Sequence, residues 1–148
     1  MRPTALDLGL VPSIRSLAGN YERISGTDVQ LVLDGDRGIP INEDVALCLY
    51  RCTGEALTNI GKHAKAQEIR ITLCINSNIV SLSVMDNGRG FQVPERLGSL
   101  MTHNHFGLVG IRERVELLHG DFRIFSNPTI GTCMEVSIPL QNHAFEET

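Results

Sequence analysis

Two apolar alternating runs lie almost back to back in this chain. Ile69, Ile71, Leu73 and Ile75 form the first and Val80, Leu82 and Val84 the second, with only Asn76-Ser77-Asn78 between the runs. A period of two places each set on one face of a strand, and a short polar break between two such runs is a hairpin. The hairpin has one apolar face that must be covered, and two stretches at helical spacing can cover it. Leu10, Ile14, Leu17, Ala18 and Tyr21 follow this spacing around Pro12, which predicts a helix over about 11–24. Val45, Leu49, Ala56, Leu57 and Ile60 share a face of a second helix, over about 43–65, with Asn42 as N-cap, Glu43 and Asp44 in the first turn, and Gly54 and Gly61 weakening it. Val29, Leu31 and Leu33 read as a short strand that ends in the turn-rich Asp34–Pro40. Leu108, Ile111, Val115 and Leu118 predict a helix over about 108–118 that Gly120 ends, followed by a second hairpin over 121–126 and 132–139. The strands alternate instead of being apolar throughout. The expected fold is therefore an α/β (α+β) two-layer sandwich, with a mixed, largely antiparallel sheet and helices on one face.

Length and charge narrow the function. With 148 residues, 42% of them apolar, the chain reads as one domain able to bury most of its unfolded surface. No apolar run is long enough to span a bilayer and no basic-apolar leader opens the chain, so it reads as cytosolic, without direct membrane contact. A net charge of -4 with interspersed signs argues against nucleic acid as partner. The four cysteines, at 48, 52, 74 and 133, contain no Cys-x-x-Cys pair; they read as reduced thiols filling apolar space, although Cys48 and Cys52 are close enough on a helix to touch.

Three segments carry chemistry. Val84-Met-Asp86-Asn-Gly88-Arg-Gly90 brings an acid to the end of an apolar strand and then turns on glycine, an arrangement that can hold a carboxylate in a cleft for the amino group of a purine. Taken alone, the same residues also read as a strand and an ordinary turn. Glu55 and Asn59 lie one turn apart on the long helix, with Lys62 and His63 continuing that side. Such a stripe offers oxygen ligands to a hard cation and positive charge to phosphate, or else is a solvated helix face. Gly107-Leu108-Val109-Gly110 sits at a predicted helix start, where free backbone amides and absent side chains suit an anion or serve packing alone. Arg112 and Arg114 run against the helix dipole there, which fits a bound anion, although each taken singly also reads as a surface arginine. Residues 92–106 have no periodicity and read as a lid.

In this order, the segments resemble the ATP-binding catalytic domain of sensor histidine kinases, in the GHKL superfamily with gyrase and MutL. Glu55 to His63 is similar to the family's N box, Asp86 to Gly90 to its first glycine box, Gly107 to Gly110 to its second and Gly131-Thr132 to its last. Glu-Ala-Leu-Thr-Asn-Ile-Gly-Lys-His-Ala and Gly-Ile-Arg-Glu-Arg-Val look most like the subfamily of nitrate/nitrite sensors and the lipid-desaturation thermosensor. The resemblance implies ATP and Mg²⁺ as cofactors. It makes Asp86 the acceptor for the adenine amino group, with Gly88 and Gly90 in the base pocket and Thr132 supporting it. Asn59 would hold the metal, Glu55 would polarise the attacking group or share the metal, and Lys62 and His63 would face phosphates or ribose. Gly107, Leu108 and Gly110 would frame the triphosphate. Four positions depart from the family pattern: Gly54, His105, His119 and Thr129.

The resemblance also implies a division of labour. None of His63, His103, His105, His119 or His143 stands in the setting of a phosphoacceptor. Residues 1–10 look like a linker from a missing dimerisation segment, 11–140 like the catalytic domain and 141–148 like a tail. The implied partners are a histidine-containing dimerisation domain and a response regulator. A standalone GHKL serine kinase of the anti-sigma type and a nucleotide-dependent protein-binding module are the alternatives.

Overall fold

Eight elements follow one another in the described residues of the structure, which is a computed structural model. They are α1 (Leu10–Ser25), β1 (Asp28–Gly35), α2 (Glu43–His63), β2 (Glu68–Ile75), β3 (Ile79–Asp86), α3 (Phe106–Leu117), β4 (Asp121–Asn127) and β5 (Gly131–Pro139). The described residues are 9–36, 38–63, 66–88, 106–127 and 131–140, with the backbone alone at 63, 106, 107 and 127. Arg89, Gly90 and the expected lid up to residue 105 lie outside them, as do the expected linker up to residue 8 and the tail from 141.

The strands form one sheet in the order β1-β2-β3-β5-β4. β1 and β2 pair in parallel, joined through α2, and every other pair is antiparallel. The period of two decides which face is covered. Ile69, Ile71, Leu73, Ile75, Val80, Leu82, Val84, Met134, Val136 and Ile138 are all buried, and they meet Leu10, Ile14 and Ala18 of α1, Val45, Leu49, Ala56, Leu57 and Ile60 of α2, and Leu108, Ile111 and Val115 of α3. Each large side chain so buried contributes about 1.5–3 kcal/mol relative to exposure. The other face is open, with Val32, Met85 and Phe125 exposed. This is the expected two-layer α/β sandwich with a mixed sheet.

Helix ends follow local chemistry. Asn42 Oδ1 accepts the amide of Asp44 at 2.8 Å, capping α2, and Gly26 closes α1 in the left-handed region at φ 75°. α3 differs from expectation at both ends. It begins at Phe106 rather than 108, because the aperiodic stretch before it hides the boundary in sequence. After Leu117 it is closed by His119 instead of Gly120: His119 takes φ 64°, its amide bonds Glu116 O at 3.0 Å, and the Gly120 amide bonds Val115 O at 2.9 Å. This is a Schellman closure with histidine at the left-handed position. Gly120 has a different role. A Cβ there would stand 2.5 Å from Ser137 O, so glycine lets the chain pass close to β5.

Candidate functional site

The core-facing row of β3 does not stop at Val84. The next position in the same row is Asp86, 4% exposed, so the periodicity that builds the core also delivers a carboxylate to the helix layer. Local structure partly satisfies it. Oδ1 accepts the Gly88 amide at 2.8 Å, while Oδ2 is buried with no partner. Burial raises the carboxyl's pKa above the usual aspartate value, while the hydrogen bond from the Gly88 amide and the nearby Thr132 amide pull it down without cancelling the shift. Asn87 anchors the turn, its Oδ1 accepting the amides of Gln67 at 3.1 Å and Glu68 at 3.0 Å.

Thr132 is the cross-strand partner of Asp86, and its hydroxyl lies 2.7 Å from Ser126 Oγ. Gly131 before it has φ 121°, and a Cβ there would clash with Asp86 O. Only glycine lets β5 begin against the acid. Asp86, Gly88, Gly131 and Thr132 therefore form one cluster where β3 ends and β5 starts.

The chain from α2 to β2 is short, so the C-terminal half of α2 lies at this same end of the sheet. Asn59 is half-buried there, with Nδ2 buried and unpartnered, and its Oδ1 has no hydrogen bond among the described residues. Glu55 lies one turn earlier, half-buried, and Lys62 is exposed; neither has a hydrogen bond or ion pair among the described residues. His63 closes α2, and its side chain lies outside the described residues. Two orphaned buried polar atoms, one on α2 and one on β3, are what a site lacking its ligand leaves behind. The donor set fits a nucleotide and a hard cation: a carboxylate for a base amino group, and an amide and a second carboxylate for Mg²⁺.

At the start of α3, the amides of Phe106, Gly107 and Leu108 have no intrahelical acceptor, while that of Gly110 falls within the helical ladder because the helix begins two residues early. Leu108 is a core residue. A Cβ on Gly110 would meet nothing within 4 Å, so packing does not call for glycine there. Arg112 follows the surface reading and not the anion reading: its Nε donates to Glu116 Oε1 at 2.8 Å, one turn on, with both side chains exposed, so local pairing already accounts for its charge.

Tyr21 is a neighbour that the sequence reading placed only on the apolar stripe of α1. A Cβ at Gly61 would stand 3.2 Å from its hydroxyl, and its pKa is raised by burial and by the charge of Asp86. Helical spacing shows where a tyrosine ring packs and is silent on where its polar tip reaches. A depression of about 500 Å³ reaches the same strand ends from the open face, lined by Asp86, Asn87, Gly131 and Thr132 together with Arg70 and Phe125; neither α2 nor α3 lines it.

The chain is 35% identical over 141 residues to the signal transduction histidine-protein kinase/phosphatase DegS of Brevibacillus brevis, covering 95% of this chain and 35% of DegS. It is 34% identical over 125 residues to the nitrate/nitrite sensor protein NarX of Escherichia coli K12, covering 84% of this chain and 20% of NarX. It thus spans about a third of the length of DegS and less of NarX. The histidine kinase domain of a blue-light activated kinase from Erythrobacter litoralis shares the fold, with a TM-score of 0.63 at 20% identity over 87% of this chain and 60% of that one. Residues 44–142 match the family described as histidine kinase-, DNA gyrase B-, and HSP90-like ATPase, and the chain belongs to that family.

Proposed function

We propose that the chain is the ATP-binding catalytic domain of a two-component sensor histidine kinase, which donates the γ-phosphoryl group to a histidine on a separate dimerisation segment for relay to a response regulator. The observation that carries this reading is the buried Asp86, with one oxygen held by Gly88 and the other unpartnered. An unpartnered carboxylate oxygen in a core row is costly unless a donor arrives, and the exocyclic amino group of adenine is such a donor. Gly88 belongs to the same turn and leaves room for the base, Gly90 is assigned to the base pocket with it, and Thr132 braces the acid from β5.

Asn59 Oδ1 and Glu55 are the ligands we assign to Mg²⁺, which neutralises phosphate charge when bound. Lys62 and His63 continue that stripe toward phosphates or ribose. Gly107 and Leu108 present free amides to the triphosphate, and Gly110 leaves open space beside it. We assign to Glu55 also the role of orienting the attacking imidazole. Phosphoryl transfer needs mainly positioning and charge stabilisation, which this set supplies. We assign residues 1–10 to a linker, 92–106 to a lid and 141–148 to a tail, with the domain on the cytoplasmic side of its sensor. No helix among the described residues is long and apolar enough to cross a membrane.

Calorimetric titration of this chain with ATP and with GTP, each with and without Mg²⁺, tests the reading. ATP should bind, more tightly with Mg²⁺, and GTP should not, because its 6-oxo group presents an acceptor to Asp86. Equal binding of both, or of neither, would defeat it.

A further inference from the structure

One pair of reactive side chains has no part in the nucleotide site. Cys48 and Cys52 sit one turn apart on α2, 4% and 1% exposed, and their sulfurs lie 4.0 Å apart, close enough to share a proton. Both belong to the apolar core that α2 shares with the sheet and α3. Cys74 and Cys133, in contrast, are half-buried singly on β2 and β5.

Two thiols held together can close a disulfide or grip one soft cation, and distance decides between them. A disulfide needs sulfurs about 2.05 Å apart and Cβ atoms about 3.5–4.5 Å apart. Residues at i and i+4 of a helix keep their Cβ atoms about 5–6 Å apart, so oxidation would have to distort α2 in the middle of its span from Glu43 to His63. A metal ion asks for less. With two metal–sulfur bonds of about 2.3 Å each, the sulfurs stand about 3.8 Å apart at a tetrahedral angle, about 4.0 Å at 120° and about 4.6 Å in a line. The 4.0 Å separation of this pair already lies in that range.

The number of ligands then selects the ion. Zinc in a structural site takes four, and among the described residues no third His, Cys, Asp or Glu completes a group with this pair. Thiolates favour soft ions, copper(I) among them, and copper(I) accepts two sulfurs alone. A hard cation such as Mg²⁺ needs oxygen ligands and keeps water, which separates this place from the one assigned to Asn59 and Glu55 further along the helix.

We propose that Cys48 and Cys52 form a two-coordinate site for copper(I), inside the helix layer and distinct from the metal site of the nucleotide. Binding replaces two S–H bonds by two S–Cu bonds; both protons leave to solvent, copper stays at +1 and no electron is exchanged. The cation also makes ionisation tolerable in the core, since two bare thiolates would put two like charges there and the bridged pair leaves one, spread over both sulfurs.

The test titrates copper(I), supplied as its acetonitrile complex without oxygen, into this chain in competition with bicinchoninate. Wild type is compared with Cys48→Ala, Cys52→Ala, Cys74→Ala and Cys133→Ala, and each thermal midpoint is recorded. Wild type should take one copper per chain, and an equal concentration of Zn²⁺ should not displace it. Cys48→Ala and Cys52→Ala should each lose about a hundredfold or more in affinity, because loss of even a residue that only supports a ligand costs a metal site about 10–100-fold. Cys74→Ala and Cys133→Ala should match wild type. Wild type that takes no copper overturns the proposal, as does a folded Cys48→Ala or Cys52→Ala with wild-type affinity, or an equal loss in Cys74→Ala or Cys133→Ala. If the alanine variants do not fold, X-ray absorption at the copper edge of loaded wild type decides: two sulfur neighbours alone support the site, and any third neighbour overturns it.

Discussion

The two ends of β3 are built from the same kind of turn, yet only one is complete. At its start, Asn76 Oδ1 accepts the amides of Asn78 and Ile79, each at 2.9 Å, and the residue is exposed, so water serves whatever remains. At its end, Asp86 accepts the Gly88 amide in the same local geometry, but the side chain is buried and its second oxygen has no partner. Glycines with positive φ sit against both ends of the sheet, Gly35 against Ile75 O and Gly131 against Asp86 O. Close backbone approach is thus common to both ends and marks nothing by itself. The difference lies in an unmet polar group held in a dry place, which a structure keeps only at a cost in stability.

Removing the charge from the incomplete end tests the comparison most severely. Asp86→Asn should lower ATP affinity about a hundredfold or more, since an amide replaces the ionised acceptor in a site built to accept. The variant should still fold, because Oδ2 holds nothing in the described structure. Calorimetry that finds wild-type ATP affinity in a folded Asp86→Asn would erase the distinction between the two ends.

Asn59→Ala should have a smaller effect, about tenfold on ATP affinity with Mg²⁺ and less without it, since its oxygen is the proposed metal ligand. Titrations in EDTA and in Mg²⁺ separate the two cases. Equal losses would make Asn59 a packing residue and leave Asp86 the only polar group of the site with an unmet role.

Acid sharpens the same contrast. The pKa of Asp86 is raised in the folded state by burial, so the folded protein binds this proton more tightly than the unfolded chain does. Its contribution to stability is then greatest below the unfolded pKa of about 3.9 and is lost as pH rises through the higher folded value. Asp86→Asn, neutral throughout, should therefore exceed wild type in thermal midpoint at pH 7, and the gap should narrow as pH falls through the folded pKa. ATP affinity of wild type should fall over that same window, which lies above that of an ordinary aspartate. A gap independent of pH would mean that Asp86 carries no burial penalty.

Much of this architecture was legible in the sequence, and what was not had physical reasons. Period two exposed β2 and β3, and it extends to Asp86, so the burial of the acid follows from the row it occupies. The stripes of α1 and α2 and the Asn42 cap depend on neighbours a turn away and were readable for the same reason. The strand order, with β1 parallel to β2 and β5 set between β3 and β4, depends on contacts between distant segments that no local pattern encodes. His119 stood out only as a departure from the family pattern, because Gly120 beside it looks like the usual stop, while the true demand on Gly120 comes from Ser137. The two arginines of α3 looked equivalent, although Glu116 four residues after Arg112 was the signal that distinguishes them. The reach of Tyr21 toward Asp86 had no local signal at all.

The complete end of β3 supplies the smallest effect. Asn76→Ala removes a side-chain oxygen that accepts two amides, but both amides and the residue itself are exposed at the tip of the hairpin, where water replaces most of what is lost. The loss should be about 1 kcal/mol of stability, the net worth of an ordinary hydrogen bond, read as a small drop in thermal midpoint. The register of β2 and β3 should survive, because it is set by the buried rows from Ile69 to Ile75 and from Val80 to Val84, and a slip of one residue would turn one of these rows to solvent. ATP affinity should not change, since Asn76 lies a full strand length from Asp86. If Asn76→Ala weakened ATP binding as much as Asn59→Ala, the two ends of β3 would be coupled through the strand. The separation of a structural turn from a functional one would then fail.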